Sequence, residues 1–200
     1  MKYLFTFIFS LTLFLTGFAQ QEGYPVGQTV ENFTLTSAGN APVSLTDYSS
    51  QKAVVLVFVN EICPNSRLYE KRLSNLAATY ASQGVTFLFV NPTISLELGG
   101  TQAKGLADKV PAETVNLPLL PDPEQKVSRQ FGATKTPEAF VLQNQNNRFV
   151  LKYKGAIDDN PQLETSVRQA YLLNALDAVL TNKPVPNPEK RATGCMIKRF

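Results

Sequence analysis

Two strand-like runs with a helix between them constrain this chain more than any other feature. Ala53-Val54-Val55-Leu56-Val57-Phe58-Val59 is continuously apolar and rich in β-branched residues. A run of that length without polar alternation predicts a strand buried on both faces, at the centre of a covered sheet. Val85-Thr86-Phe87-Leu88-Phe89-Val90 is a second such run. Between them, Leu68, Leu73, Leu76, Ala77 and Tyr80 recur at helical spacing, which predicts a helix over 66–83, and Gly84 can end it in the left-handed region. A strand, a helix and a strand in so short a stretch make a right-handed βαβ unit with a parallel strand pair.

The rest of the chain reads less sharply. Short extended pieces are expected at Phe33–Leu35 and Val43–Leu45, among the turn residues Gly23, Pro25, Gly27, Gly39 and Pro42. Beyond Asn91-Pro92, short helices are expected near Gln102–Val110 and over Glu124–Phe131. Pro118–Pro123 reads as a stiff connection between them. Thr136-Pro137 opens a strand at Ala139–Gln143, which a polar turn at Asn144–Asn147 joins to Phe149–Tyr153 as an antiparallel hairpin. A last helix is expected over Thr165–Leu180, and Pro184, Pro186 and Pro188 keep the C-terminal stretch extended.

The N-terminus is set apart from the fold. Lys2 precedes an apolar run through Thr16, and Gly17-Phe18-Ala19-Gln20 ends it with small residues, as in a secretory signal peptide cut after Ala19. The competing reading is a membrane anchor, but polar Gln20-Gln21-Glu22 comes next without a basic cluster. The organisation expected is therefore a signal peptide at 1–19, one domain at 20–181 and an extended C-terminal tail at 182–200. An exported chain, periplasmic or secreted, keeps no stable membrane anchor.

Composition narrows the chemistry. The chain of 200 residues has no His and two Cys, Cys63 and Cys195. Triads built on His, imidazole-ligated haem, His-based zinc sites and four-thiolate metal sites are thereby excluded. No cofactor or metal is expected. The formal net charge of +3 has a local origin, because Lys190, Arg191, Lys198 and Arg199 stand in the last stretch without an acid. The remainder is nearly neutral, so no basic face for nucleic acid is expected, and the basic tail reads as solvated.

The element order, βαβ, then a helix, then a proline leading into a ββ hairpin and a final helix, resembles the thioredoxin fold. That implies an α/β domain with a central mixed β-sheet flanked by helices. Cys63 stands just past the first buried strand in Asn60-Glu61-Ile62-Cys63-Pro64-Asn65-Ser66, at the start of the long helix. A thiol there faces unpaired backbone N–H groups and the positive end of the helix dipole, which favour the thiolate, the form that attacks disulfides and peroxides. Pro64 suits the first helical position because its missing N–H would have no intrahelical partner. Arg67 and Lys71 add positive potential and Glu61 opposes it. The competing reading makes Cys63 a small buried hydrophobe. Thr136-Pro137 matches the cis-proline of thioredoxin-like proteins, which lies beside the active cysteine and helps hold substrate backbone.

Residues from about 25 to 180 resemble the redoxin branch that contains alkyl hydroperoxide reductase, thiol-specific antioxidant proteins and thiol–disulfide oxidoreductases. The match is best with the peroxiredoxin-like thioredoxin subfamily. It lies in Asn60–Ser66, Pro121-Asp122-Pro123, Phe131–Glu138, Tyr153–Asp159, Pro184–Pro188 and Gly194-Cys195-Met196-Ile197-Lys198. The resemblance implies a thiol-dependent oxidoreductase with Cys63 as nucleophile. Pro64, Ser66, Thr136 and Pro137 would support it. Its partners would be a protein or small-molecule disulfide, or a hydroperoxide, together with an external thiol reductant.

Two departures shape that expectation. Ser66 replaces the second cysteine of the C-x-x-C motif, so a mixed disulfide is not resolved within the motif. The peroxide-orienting Pro-x-x-x-Thr/Ser-x-x-Cys pattern is missing, since Leu56 and Asn60 occupy its proline and hydroxyl positions. Cys195 then becomes the discriminating residue. It pairs with Cys63 as a resolving thiol, or stays free on the tail, or pairs between chains. A Cys63–Cys195 bridge would close a loop worth roughly 5 kcal/mol in chain entropy. Three functions remain open: disulfide oxidoreductase, hydroperoxide reductase with Cys63 peroxidatic, and a redox-inactive binding module. Asp158-Asp159 reads as a solvated acidic pair, and Gly99-Gly100-Thr101 lacks the continuation of a phosphate loop.

Overall fold

The computed structural model describes residues 23–37, 39–92 and 119–199. The expected signal peptide, the expected helix near 102–110 and Gly99-Gly100-Thr101 lie outside the described residues. Strands β1 (Thr34–Thr36) and β2 (Pro42–Ser44) form a small antiparallel pair near the start. The expected βαβ unit comes next as β3 (Ala53–Phe58), α1 (Pro64–Ala81) and β4 (Val85–Asn91), with β3 and β4 parallel. Gly84, at φ +84°, turns the chain from the helix into β4.

The connection expected around Pro118–Pro123 contains a strand instead. β5 (Leu119–Pro121) pairs in parallel with β4. Pro121 is tolerated because it ends a strand at the sheet edge. Helix α2 (Lys126–Phe131) is two residues shorter than expected, since Gln125 adopts a left-handed φ of 56° that helix cannot contain. Asp122 carries the start of α2 by accepting the N–H groups of Val127 (3.3 Å) and Ser128 (2.8 Å).

β6 (Lys135–Thr136) precedes the hairpin of β7 (Glu138–Gln145) and β8 (Arg148–Gly155). Both strands outrun the expected ranges because Asn146 and Asn147 make the whole turn by themselves, at φ 55° and 63°. The last helix, α3 (Tyr171–Leu180), starts later than expected. Glu164–Ser166 form only a short 3-10 turn, and residues 167–170 are drawn away from helix by Asp159, whose carboxylate accepts the Arg168 N–H and whose own N–H donates to the Gln169 carbonyl.

The six-stranded mixed sheet runs β5-β4-β3-β7-β8-β9, where β9 (Glu189–Lys190) lies parallel to β8. Every residue of β3 is buried, as its continuous apolar run requires. Val55, Val57 and Val59 face Tyr69, Leu73 and Ala77 of α1 and Leu172 and Leu176 of α3. Val54, Leu56 and Phe58 face the opposite layer, with Phe33, Val127, Phe131 and Ile197. The C-terminal segment is extended and mostly exposed, but it is tied to the fold at intervals, with Ala192 and Ile197 buried. It supplies β9 and then β10 (Cys195–Met196), which pairs antiparallel with β6. Gly155, at φ +130°, is where β9 comes closest, because a Cβ there would fall on the Lys190 carbonyl.

Candidate functional site

The site forms where α1 begins, at the carboxyl end of β3. Asn60 shapes the approach: its carbonyl accepts the Cys63 N–H (3.0 Å) and its Oδ1 accepts the Ile62 N–H (3.0 Å). Cys63 thereby becomes the N-cap of α1, with extended backbone and Pro64 at the first helical position. No acidic residue occupies the first helical turn, so no side chain within that turn offsets the positive end of the dipole at Cys63.

Cys63 and Cys195 are joined in a disulfide, with Cα atoms 5.9 Å apart across a sequence separation of 132. Ser66 is buried on the inner side of the helix, and its hydroxyl accepts the Asn60 N–H (3.2 Å), so it braces the loop that presents Cys63. The Thr136–Pro137 bond is cis. Thr136 is buried, and its carbonyl oxygen lies 3.1 Å from Cys63 Sγ. Cys63, Pro64, Ser66, Thr136, Pro137 and Cys195 therefore converge on one place.

The C-terminal segment is anchored immediately after Cys195. Ile197 N–H donates to the Thr134 carbonyl (3.0 Å), and its side chain is buried in the core layer of Phe58 and Phe131. Gln125 Nε2 donates to the Lys198 carbonyl (2.7 Å), and Arg199 donates to the Ala133 carbonyl (2.6 Å). The basic residues expected to be solvated thus include one that is tied to backbone. Its charge is spent on carbonyl groups at the end of α2, where a cation is favoured.

Glu138 holds the other wall and was not singled out from sequence as a site residue. Its Oε2 accepts the N–H groups of Thr134 (2.7 Å) and Lys135 (3.0 Å), which fixes the bend before Pro137. Burial pushes its carboxyl above the ordinary value of 4.5, against the lowering effect of those two N–H groups. The signal that could have found it is an acidic residue opening an otherwise apolar strand.

Asp158 and Asp159 part company. Asp159 is exposed, but Asp158 is buried and accepts hydrogen bonds from Tyr69 and Arg72. Sequence adjacency hides this, because successive residues here face opposite ways. Burial first, and then the hydrogen bond to Asp158, push the Tyr69 hydroxyl far above its ordinary value. Asp158 is thus an ion-pair partner that ties the β8–α3 connection to α1. Among the described residues, no group of three or more Cys, Asp or Glu could hold a metal ion.

Strand order, a helix-capping cysteine and the cis Thr136–Pro137 bend together define the thioredoxin fold. The AhpC/TSA family model matches residues 26–159, and the chain belongs to that family. A hypothetical protein, SMc02350, from Sinorhizobium meliloti 1021 is 28% identical, with a TM-score of 0.77 over 89% of this chain and 96% of that one. An uncharacterised conserved protein from Geobacillus kaustophilus is 29% identical, with a TM-score of 0.75 over 88% and 93%. A putative thiol:disulfide interchange protein DsbE from Chlorobium tepidum shares the fold at 20% identity and a TM-score of 0.59, covering 79% and 99%. No curated protein matches the chain.

Proposed function

We propose that this protein is an exported thiol–disulfide oxidoreductase in which Cys63 is the nucleophile and Cys195 the resolving thiol. The observation that carries the reading is the Cys63–Cys195 disulfide at the start of α1. In the reduced protein, the Cys63 thiolate attacks one sulfur of a substrate disulfide and expels the other as a thiolate. The Cys195 thiolate then attacks Cys63 Sγ and releases the second substrate thiolate. The substrate gains two electrons and the protein dithiol becomes the disulfide, which an external dithiol reductant returns to the reduced state. The helix start stabilises the charge on Cys63, and Ser66 and Glu138 hold the two loops that bring the sulfurs together.

Reduction of a hydroperoxide would end in the same disulfide, through a Cys63 sulfenic acid. The side chains that replace the peroxide-orienting pattern favour the disulfide substrate. Leu56 is fully buried in the core layer of Phe58 and Phe131, and the Asn60 Oδ1 is occupied by the Ile62 N–H. Export is supported by the sequence of residues 1–19 and by a disulfide that an oxidising compartment would preserve.

Reaction with 5,5′-dithiobis(2-nitrobenzoate) tests the assignment. The reduced chain is expected to release two thionitrobenzoate ions and close its own disulfide. Cys195→Ser should release one and keep the adduct, and Cys63→Ser should leave Cys195 unable to form any internal bridge. An inert Cys63 in the reduced Cys195→Ser protein would overturn the reading. Faster oxidation by a hydroperoxide than by a small disulfide would move it to the peroxidase.

A further inference from the structure

We infer that the C-terminal segment is a built-in copy of the substrate, and that the natural substrate is an extended polypeptide whose disulfide-linked cysteine sits in a Gly-Cys-x-aliphatic sequence. This rests on the thiol-exchange reading above and goes on to name its substrate class. Three observations on the segment carry it. First, β10 lies antiparallel on β6, with Cys195 opposite Thr136 and Met196 opposite Lys135, so the segment is held by backbone pairing that any extended peptide can reproduce. Second, Gly194 lies so close to Thr136 that a Cβ would fall on its carbonyl oxygen, so the position before the cysteine accepts only glycine in this pose. Third, Cys195 and Ile197 point inward while Met196 is 75% exposed between them. The alternation places a sulfur on Cys63, leaves the next side chain in solvent, and drops an aliphatic side chain into the core layer of Phe58 and Phe131.

Reduction cuts the covalent tie and leaves the segment held only by these weaker contacts. A partner strand that takes its place offers the same main-chain groups to β6 and presents its cysteine to Cys63 in the Cys195 position. Cys63 attacks that sulfur, the partner's second sulfur leaves as a thiolate, and a mixed disulfide forms. The tethered segment then competes for the same edge of β6. Its return carries the Cys195 thiolate onto Cys63 Sγ and expels the partner as a thiol. Electrons pass from the protein dithiol to the partner disulfide, with no reagent beyond the external dithiol already named.

The experiment uses the reduced full-length Cys195→Ser protein and the Gly194→Ala/Cys195→Ser protein, in which the added methyl group loosens the segment. Each meets peptides of the form Ala-Thr-Gly-Cys-Met-Ile-Lys with the cysteine as its thionitrobenzoate mixed disulfide. Release of the yellow thiolate gives the rate. Replacing the peptide glycine with alanine, or its isoleucine with aspartate, is expected to slow the reaction roughly tenfold or more. Replacing the methionine with serine should leave it unchanged. The Gly194→Ala protein is expected to react faster with the parent peptide, and Ile197→Asp is a second way to loosen the segment if the first variant folds poorly. Equal rates for all peptides, or failure of both proteins to react with any peptide while dithiobis(nitrobenzoate) still reacts, would overturn the substrate assignment and leave thiol exchange standing. Inertness towards dithiobis(nitrobenzoate) as well would overturn both.

Discussion

Breaking the Cys63–Cys195 disulfide should cost a large share of the stability of the chain. The bridge spans 132 positions, and in the chain-entropy relation a loop of that length removes about 5 kcal/mol from the unfolded ensemble at room temperature. Domains of this kind are stable by only about 5–15 kcal/mol, so the effect is at least a third of the total. The folded state loses little on reduction, because Ile197 remains buried and the Ile197 N–H and Gln125 Nε2 still have their carbonyl partners. Urea unfolding followed by circular dichroism is the assay, comparing the oxidised protein, the protein in a phosphine reductant, and Cys63→Ser/Cys195→Ser. With a slope of roughly 2 kcal/mol per molar urea, the midpoint should fall by about 2.5 M in both reduced forms. Mass analysis of the non-reduced protein, lighter by two hydrogens when bridged, fixes the starting state. A midpoint that moves by less than about 0.5 M in protein proven to be bridged would refute the entropic argument.

Three other outcomes are expected from named residues. Among the described residues, Asp158→Asn leaves the Arg72 guanidinium, 11% exposed, with only the distant and exposed Glu164 (4.0 Å) as a charge partner, and should cost about 3 kcal/mol. Adding Arg72→Met to that variant should recover most of the loss in the same urea assay. Glu138 titrates above 4.5 in the folded chain, so its contribution is fully present below that pH and is lost as pH rises through the raised value. Glu138→Gln keeps an acceptor for the Thr134 and Lys135 N–H groups and removes that loss, so the variant should gain on the parent protein as pH rises above 4.5, and parallel curves would refute this. Export should leave a mature chain that begins at Gln20, and N-terminal sequencing of protein secreted by a bacterial host reads this directly.

Much of the scaffold is legible without coordinates. The unbroken apolar run of β3 could only be buried on both faces, and helical spacing ending at Gly84 marked α1. Chain position alone put Cys63 at a helix start, since the apolar run ends at Val59 and a short loop from Asn60 leads straight into the helical pattern. Local pattern failed where a side chain far away decides the backbone. Asp159 holds 167–170 out of helix, and β5 exists because β4 has an open edge beside it. Asp158 and Asp159 look equivalent in a line of letters, yet one is buried against Arg72 and the other is in solvent.

The sequence by itself determined the central βαβ unit, the cysteine at its helix start and the absence of any imidazole to assist it, because these depend on residue type and short-range periodicity. Only the tertiary structure decided what residues 182–199 do. Proline spacing says that they are extended, and nothing local says where an extended segment goes. Its place on β6 is set by a backbone edge that β6 leaves unpaired, a gap at Thr136 that admits only Gly194, and an apolar recess that takes Ile197. Those three come from parts of the chain about sixty or more residues away from the tail, and they meet Cys195 only once the sheet has formed.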